Sequence, residues 1–202
     1  MMKIYLDENS YLANGTHKKC YLHPENNKLC IKLAYNKAGL IDIDREIKYQ
    51  DILNNKGRPG CIPNYYGKIE TNLGTGYIFD YIKEKDGSAC ATLDTFINDL
   101  NLFDENMSAI INSLQEFKEE YFKYQIVSMD IYPGNFLFQK TEDNSYKVYF
   151  INDLGDSSFL HLSYYIEFLR KKKCKRVWDR FLARLDKSIP QLNLLCRKLS
   201  NN

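Results

Sequence analysis

The sequence predicts an α+β chain in two parts, a small antiparallel-sheet lobe over residues 1–82 and a larger helical lobe over 83–202, sharing one cleft. Three observations carry this expectation. The first eighty residues break into short apolar or aromatic pieces divided by turn residues, as strands do. From Thr92 onward the apolar residues recur at helical spacing. No repeat and no low-complexity linker separates the two regions, so they read as one compact unit.

In chain order, Ile4–Leu6, Tyr11–Leu12 and Cys20–Leu22 are short strand candidates, split by Asn14-Gly15 and by His23-Pro24-Glu25-Asn26-Asn27. Leu29–Tyr35 is a stronger strand. Its alternation separates Leu29, Ile31 and Leu33 from Cys30, Lys32 and Ala34. A helix is expected from Ile43 to Leu53, with Ile43, Ile47 and Leu53 near one face, Glu46 and Gln50 beside it, and Gly57-Arg58-Pro59-Gly60 after it. Tyr65–Glu70 and Gly76–Ile82 form a hairpin around Asn72-Leu73-Gly74. Thr92 caps a short helix running to Leu100. Met107–Tyr124 is a long amphipathic helix whose stripe is Ile110, Ile111, Leu114, Phe117, Tyr121 and Tyr124. Phe136–Gln139 and Tyr146–Ile151 pair as a second hairpin, and a helical tail starts near Ser163.

Composition narrows the function classes. A chain of 202 residues, 44% hydrophobic, buries about 70% of its unfolded surface. Its 28 basic and 26 acidic residues leave a net charge of +2, so no global basic field argues for nucleic acid. No apolar run approaches the length of a membrane span. Met1-Met2-Lys3-Ile4-Tyr5-Leu6-Asp7 meets charge too early for a secretory signal, which points to the cytoplasm. Six cysteines without a C-x-x-C pair, and three histidines, fit reduced thiols better than structural zinc or a disulfide framework.

The chemistry concentrates in two segments, Val127–Phe138 and Val148–Gly155. Pairing the second hairpin sets Asn135, just before one strand, beside Asp153, just after the other. An amide oxygen and a carboxylate then converge, the hard oxygen ligands that suit magnesium holding substrate phosphates. Asp130 precedes Asn135 through a Pro-Gly loop that folds it back toward the same point. Singly, each of these three is an ordinary turn or cap residue. In order, and joined by a hairpin, they form a site. In the first lobe, Lys32 shares its strand face with Cys30 and Ala34, leaving room for a flat ligand, and Glu46 offers a carboxylate from the helix. The plain alternatives are an edge-strand lysine and a solvated helix charge.

These parts resemble the protein-kinase motif set. Leu29-Cys30-Ile31-Lys32 is similar to V-A-I-K, and Glu46 to the helix glutamate that pairs with its lysine. Phe79, followed by Asp80-Tyr81-Ile82, resembles a gatekeeper and hinge. Asp130 and Asn135 resemble the catalytic-loop pair, and Asp153-Leu154-Gly155 resembles D-F-G. Over nearly its full length the chain resembles the YrbL family, small bacterial kinase-like proteins named for a PhoP regulatory network. The matches include Gly15–Tyr21, His23-Pro24-Glu25, Ile69-Glu70-Thr71 with Gly74–Tyr77, and Trp178-Asp179-Arg180-Phe181.

That resemblance implies a compact bilobal protein-kinase-like fold and an ATP-dependent, magnesium-dependent phosphotransferase acting on a hydroxyl of a protein or small molecule. Asp130, Lys32 and Glu46 would be catalytic, and Asn135 and Asp153 would hold Mg2+. ATP would lie against Gly15, Thr16, Lys18, Cys30, Lys32, Phe79, Asp80 and Ile82. The chain departs from the kinase pattern at three places, of which the thinned phosphate loop and the missing His-Arg favour an alternative, a pseudokinase that binds nucleotide or a partner without transfer. Only one glycine of the phosphate loop survives, in Ala13–Cys20. Ser128-Met129 replaces His-Arg before Asp130. Tyr132 stands where a lysine is usual. No A-P-E follows Gly155, and residues 156–202 are too few for a full peptide-docking lobe. The basic run Arg170–Arg176 is read as a solvated helix face, with an anionic partner as its second reading.

Overall fold

A computed structural model describes residues 3–158, 161–188 and 193–200 of the chain. Met1 and Met2 of the N-terminal stretch, and two residues of the segment after Gly155, lie outside the described residues. The fold is α+β, with a five-stranded antiparallel sheet and several helices.

The strands are β1 (Tyr11–Asn14), β2 (Lys18–His23), β3 (Asn26–Ala34), β4 (Tyr65–Thr71) and β5 (Gly74–Asp80), in the order β1-β2-β3-β5-β4. The expected alternation of β3 separates its two faces. Ile31 and Leu33 pack with Ile4, Leu6 and Tyr21 on one side. On the other, Cys30 meets Ile43, Tyr77 and Phe79. In register, Lys32 lies between Cys20 and Tyr77.

Helix α1 (Lys37–Asn54) begins at Lys37, earlier than the expected Ile43. Asn36 starts it, its side-chain oxygen accepting from the Gly39 amide at 2.8 Å. The first turn hides from a periodicity reading because Leu40 and Ile41 face solvent. The buried face runs Ile43, Glu46, Tyr49, Gln50 and Leu53, each three or four residues from another member of the set. Glu46 thereby points at the sheet, among side chains whose burial is worth about 1.5–3 kcal/mol each.

The second half holds a smaller sheet, β6 (Ala91–Thr92), β7 (Phe136–Lys140) and β8 (Tyr146–Phe150), of which β6 was not foreseen. Thr92 caps α2 (Leu93–Asn98), which stops short of Leu100. Asp99 then starts α3 (Leu100–Lys123) by accepting from the Leu102 amide at 3.1 Å, so this helix begins before the expected Met107. The tail forms α4 (Leu162–Tyr165), α5 (Glu167–Ser188) and α6 (Asn193–Ser200).

The large core is aromatic. Phe117 on α3 meets Phe136 on β7 edge-on at 5.0 Å and stacks near Trp178 on α5. Phe136 also contacts Phe150 on β8 and Phe181 on α5. This packing fixes the β7–β8 hairpin, and with it the residues at its end.

The basic run corrects one expectation. Only its outer members are a solvated face. Arg170 is buried and donates to Gln125 Oε1 and to the Ser163 and Tyr164 carbonyls. Lys173 reaches inward to Asp156. The stripe Cys174, Val177, Trp178, Phe181 turns that side of α5 into the core and takes both cations with it. All six cysteines are free thiols. Among the described residues, no helix is long and apolar enough to cross a membrane.

Candidate active site

The site is assembled from the sheet, α1 and the two segments flanking the β7–β8 hairpin. Lys32 Nζ lies 3.0 Å from Glu46 Oε1 and donates to the Ile151 carbonyl at 3.0 Å. It also sits 4.2 Å above the Phe79 ring. Both partners of the ion pair are nearly buried, at 14% and 4% side-chain exposure, so each charge depends on the other. Burial pushes the Lys32 ammonium down, but the Glu46 carboxylate more than offsets it and leaves the lysine above its ordinary value.

Lys18 adds a second cation. Its Nζ lies 3.9 Å from Glu46 Oε2 and contacts Asn152 Oδ1. Here burial wins over the Glu46 charge, and the ammonium is held below its ordinary value. The turn carrying Gly15 and Thr16 is exposed and is pinned from β3 by the Tyr35 hydroxyl, which donates to the carbonyls of both. Lys18 points inward where Lys19 is exposed, because the two alternate along β2.

The hairpin brings Asn135 to Asp153. The Ile151 amide donates to the Asn135 carbonyl at 3.0 Å, extending the ladder one step past Phe136 opposite Phe150. Asn135 Nδ2 then donates to Asp153 Oδ2 at 2.8 Å. That bond uses the amide nitrogen, so the amide oxygen and the second carboxylate oxygen remain to face a cation. One carboxylate and one amide oxygen, with substrate phosphates and water completing the set, fit magnesium. Asp153 has φ of +60°, a left-handed conformation costly for a residue with a Cβ. It is fixed by its flanks: the Met129 amide donates to the Asp153 carbonyl at 2.9 Å, and the Gly155 amide to the Val127 carbonyl at 2.8 Å. Gly155, at φ +96°, has no room for a Cβ, which would stand 2.7 Å from Arg45 Cγ. Burial raises the Asp153 carboxyl, with the Lys18 charge and the Asn135 bond partly opposing it.

The same bridges carry Asp130 to this point. It is clamped by two arginines from α5 that the sequence reading missed. Arg184 Nη2 lies 2.7 Å from Asp130 Oδ2, and Arg180 Nε 3.3 Å from Oδ1. Arg184 also stacks on the Tyr132 ring at 4.3 Å and donates to the Ile131 carbonyl at 2.6 Å. Burial pushes the Asp130 carboxyl up, but the Arg184 hydrogen bond and charge and the Ile131 amide hold it below the ordinary range. The available signal was the apolar spacing of Trp178, Phe181 and Leu185, which leaves Arg180 and Arg184 together on an adjoining face.

The remaining candidates divide. Cys30 and Phe79 are buried beside Lys32. Asp80 gives the sheet its backbone, its carbonyl accepting from Cys30 Sγ at 3.5 Å. Its carboxylate turns away to the Asn64 amide at 2.8 Å and the Tyr66 hydroxyl at 2.7 Å. Asp80 and Ile82 also line a separate cavity outside the Lys32 cluster.

A segment behind Gly155 closes the site. Asp156 is buried and accepts from Ser163 Oγ and Lys173 Nζ, both at 2.5 Å, and from the Ser158 amide at 2.9 Å. Its own amide donates to the Tyr164 hydroxyl.

Residues 4–186 match the family model described as PhoP regulatory network protein YrbL. The chain is 32% identical over 183 residues to the uncharacterized protein YrbL of Escherichia coli (strain K12), covering 89% of this chain and 87% of that protein. The protein of the same name in Shigella flexneri matches to the same extent. The chain belongs to the YrbL family.

Proposed function

We propose that the chain is a small, bilobal, kinase-like phosphotransferase that moves the γ-phosphoryl group of ATP to a hydroxyl. The carrying observation is the single cluster that joins the Lys32–Glu46 pair to the Asn135–Asp153 pair through Ile151, whose carbonyl accepts from Lys32 and whose amide donates to the Asn135 carbonyl. In this reading the base of ATP lies beside Cys30 and Phe79. Lys32, oriented by Glu46, and Lys18 take the phosphate oxygens. Asn135 and Asp153 would hold Mg2+, which supplies charge neutralisation across the phosphates. Asp130 orients the acceptor hydroxyl and takes its proton as the new P–O bond forms and the bond to the ADP oxygen breaks. Attraction between Lys32 and phosphate is strong because the site is screened from water.

A second reading, a pseudokinase, is favoured by the double arginine clamp on Asp130, which lowers its basicity and competes with an acceptor. The family description's PhoP regulatory network would suit either an acceptor or a docking partner in regulation.

The test is nucleotide binding. Lys32→Ala is expected to abolish most of the magnesium-dependent thermal shift with ATP, whereas Lys19→Ala, on the exposed face of β2, leaves it in place. Equal shifts in both variants would remove Lys32 from the nucleotide site. Activity is also expected without phosphorylation of the segment after Gly155. Met129 stands before Asp130 and cannot receive a phosphate, and the Asp156 carboxylate already supplies the negative charge that Lys173 needs. Mass spectrometry of active protein showing a required phosphate in that segment would contradict this.

A further inference from the structure

Between the ends of the two sheets lies an open cavity of about 530 Å³, away from Lys32, Asn135 and Asp153. Asn64 and Asp80 bound it from the first sheet; Gln139, Lys147 and Tyr149 bound it from the second. Five cations line it, Lys28, Arg58, Lys83, Lys85 and Lys147, against two carboxylates, Asp80 and Glu84.

Those two carboxylates keep their charge but are held by neutral hydrogen-bond donors. Asp80 is taken by Asn64 and Tyr66. Glu84 accepts from the Lys140 amide at 3.0 Å. Lys85 pairs with Glu142 at 2.7 Å. Among the described residues, Lys28, Arg58, Lys83 and Lys147 make no ion pair with a carboxylate. Lys83 and Lys147 instead lie over the Tyr81 and Tyr149 rings, at 5.9 and 4.8 Å, which keeps both near the cavity wall. Four like charges are thus gathered in a concave space of small-molecule size. With five cations against two carboxylates the wall carries an excess of positive charge, and a concave wall with such an excess concentrates counter-ions far better than the same charges spread on a convex surface.

We infer that this cavity is a second ligand site, built for a phosphate-bearing small molecule with two or more negative charges. Arginine and lysine are the side chains that recognise phosphate, the first as a planar fork and the second as a point charge. Asn64, Gln139 and the tyrosine rings provide the neutral contacts that such a ligand's body requires. An occupant would touch both sheets at once and so tie together the two halves of the chain. This inference does not rest on the phosphotransferase reading.

The probe is inorganic pyrophosphate, titrated calorimetrically into the full chain at low salt without magnesium. Saturable one-to-one binding is expected. The double variant Arg58→Ala/Lys147→Ala should weaken it on the order of tenfold or more, since each removes one charge contact from a partly screened site. Both side chains are exposed, so an unchanged melting curve will show that the double variant is folded. The companion variant Lys32→Ala locates the ligand. Binding that disappears with Lys32→Ala and survives in the double variant belongs to the other cluster and overturns the inference. Absence of saturable binding in the wild type overturns it as well.

Discussion

Asp130→Asn is expected to cut phosphoryl transfer by roughly 10²–10⁴-fold while leaving the ATP–magnesium thermal shift intact. Positioned proton transfer contributes a factor of that size, or roughly 3–5 kcal/mol in the barrier. The bonds between the two segments are backbone ones, from the Met129 amide to the Asp153 carbonyl and from the Gly155 amide to the Val127 carbonyl, so loss of the Asp130 carboxylate need not disturb the Asn135–Asp153 pair. The asparagine keeps the shape and can still accept from Arg184. Asp153→Asn is expected to behave otherwise, lowering nucleotide binding and turnover together, because its carboxylate is felt both before and during reaction. Initial rates and thermal shifts on the same two variants settle the matter. Equal losses of binding in both would take Asp130 out of the catalytic role. The arginine clamp adds a corollary: Arg184→Ala should alter turnover more than nucleotide binding, since Arg184 holds the Asp130 carboxylate and the Ile131 carbonyl.

Asp156→Ala is expected to be strongly destabilising, by about 3–5 kcal/mol, because it strands the largely buried Lys173 ammonium without its counter-charge. For a chain of this size that corresponds to a fall in melting temperature on the order of 10 °C. Replacing both partners, as Asp156→Leu with Lys173→Met, should recover a good part of the loss, since the uncompensated charge disappears. The pH dependence has a definite sign. Burial pushes the Asp156 carboxyl up, but bonds from Lys173 and Ser163 hold it far below the ordinary carboxylate range. Its contribution is therefore complete above that range and is lost as pH falls through the lowered folded value. Wild type and Asp156→Ala melting curves should converge in strong acid. An unchanged melting temperature in the variant at neutral pH would show that the network contributes no net stability.

How much of this could be read from the sequence depended on the distance between partners. The alternation of β3 sorted Cys30 and Lys32 from Ile31 and Leu33 because a strand has a period of two. The β7–β8 hairpin could be foreseen since its strands are adjacent, and its register alone brings Asn135 to Asp153. The expected ranges for α1 and α3 began late, because their first turns carry solvent-facing residues such as Leu40 and Leu100 and the start is set by Asn36 and Asp99. The two-residue β6 carries too little pattern to be seen. Contacts between partners far apart in the chain left only an indirect sign, a shared helix face with no named partner. Arg180 and Arg184 on Asp130 depend on how α5 packs under Phe136. Reading Arg170–Arg176 as a solvated face holds for Lys171, Lys172, Lys175 and Arg176 but not for Arg170 and Lys173, which the burial of Cys174 and Val177 turns inward to Gln125 and Asp156.

The most direct test is incubation of the wild-type chain with γ-labelled ATP and magnesium, following release or transfer of the label. Magnesium-dependent transfer to an acceptor hydroxyl is expected, or in its absence slow transfer to the chain itself or to water, lost in Asp130→Asn. ATP bound with magnesium and no label moved to any acceptor, to the chain or to water would contradict it and leave the pseudokinase reading.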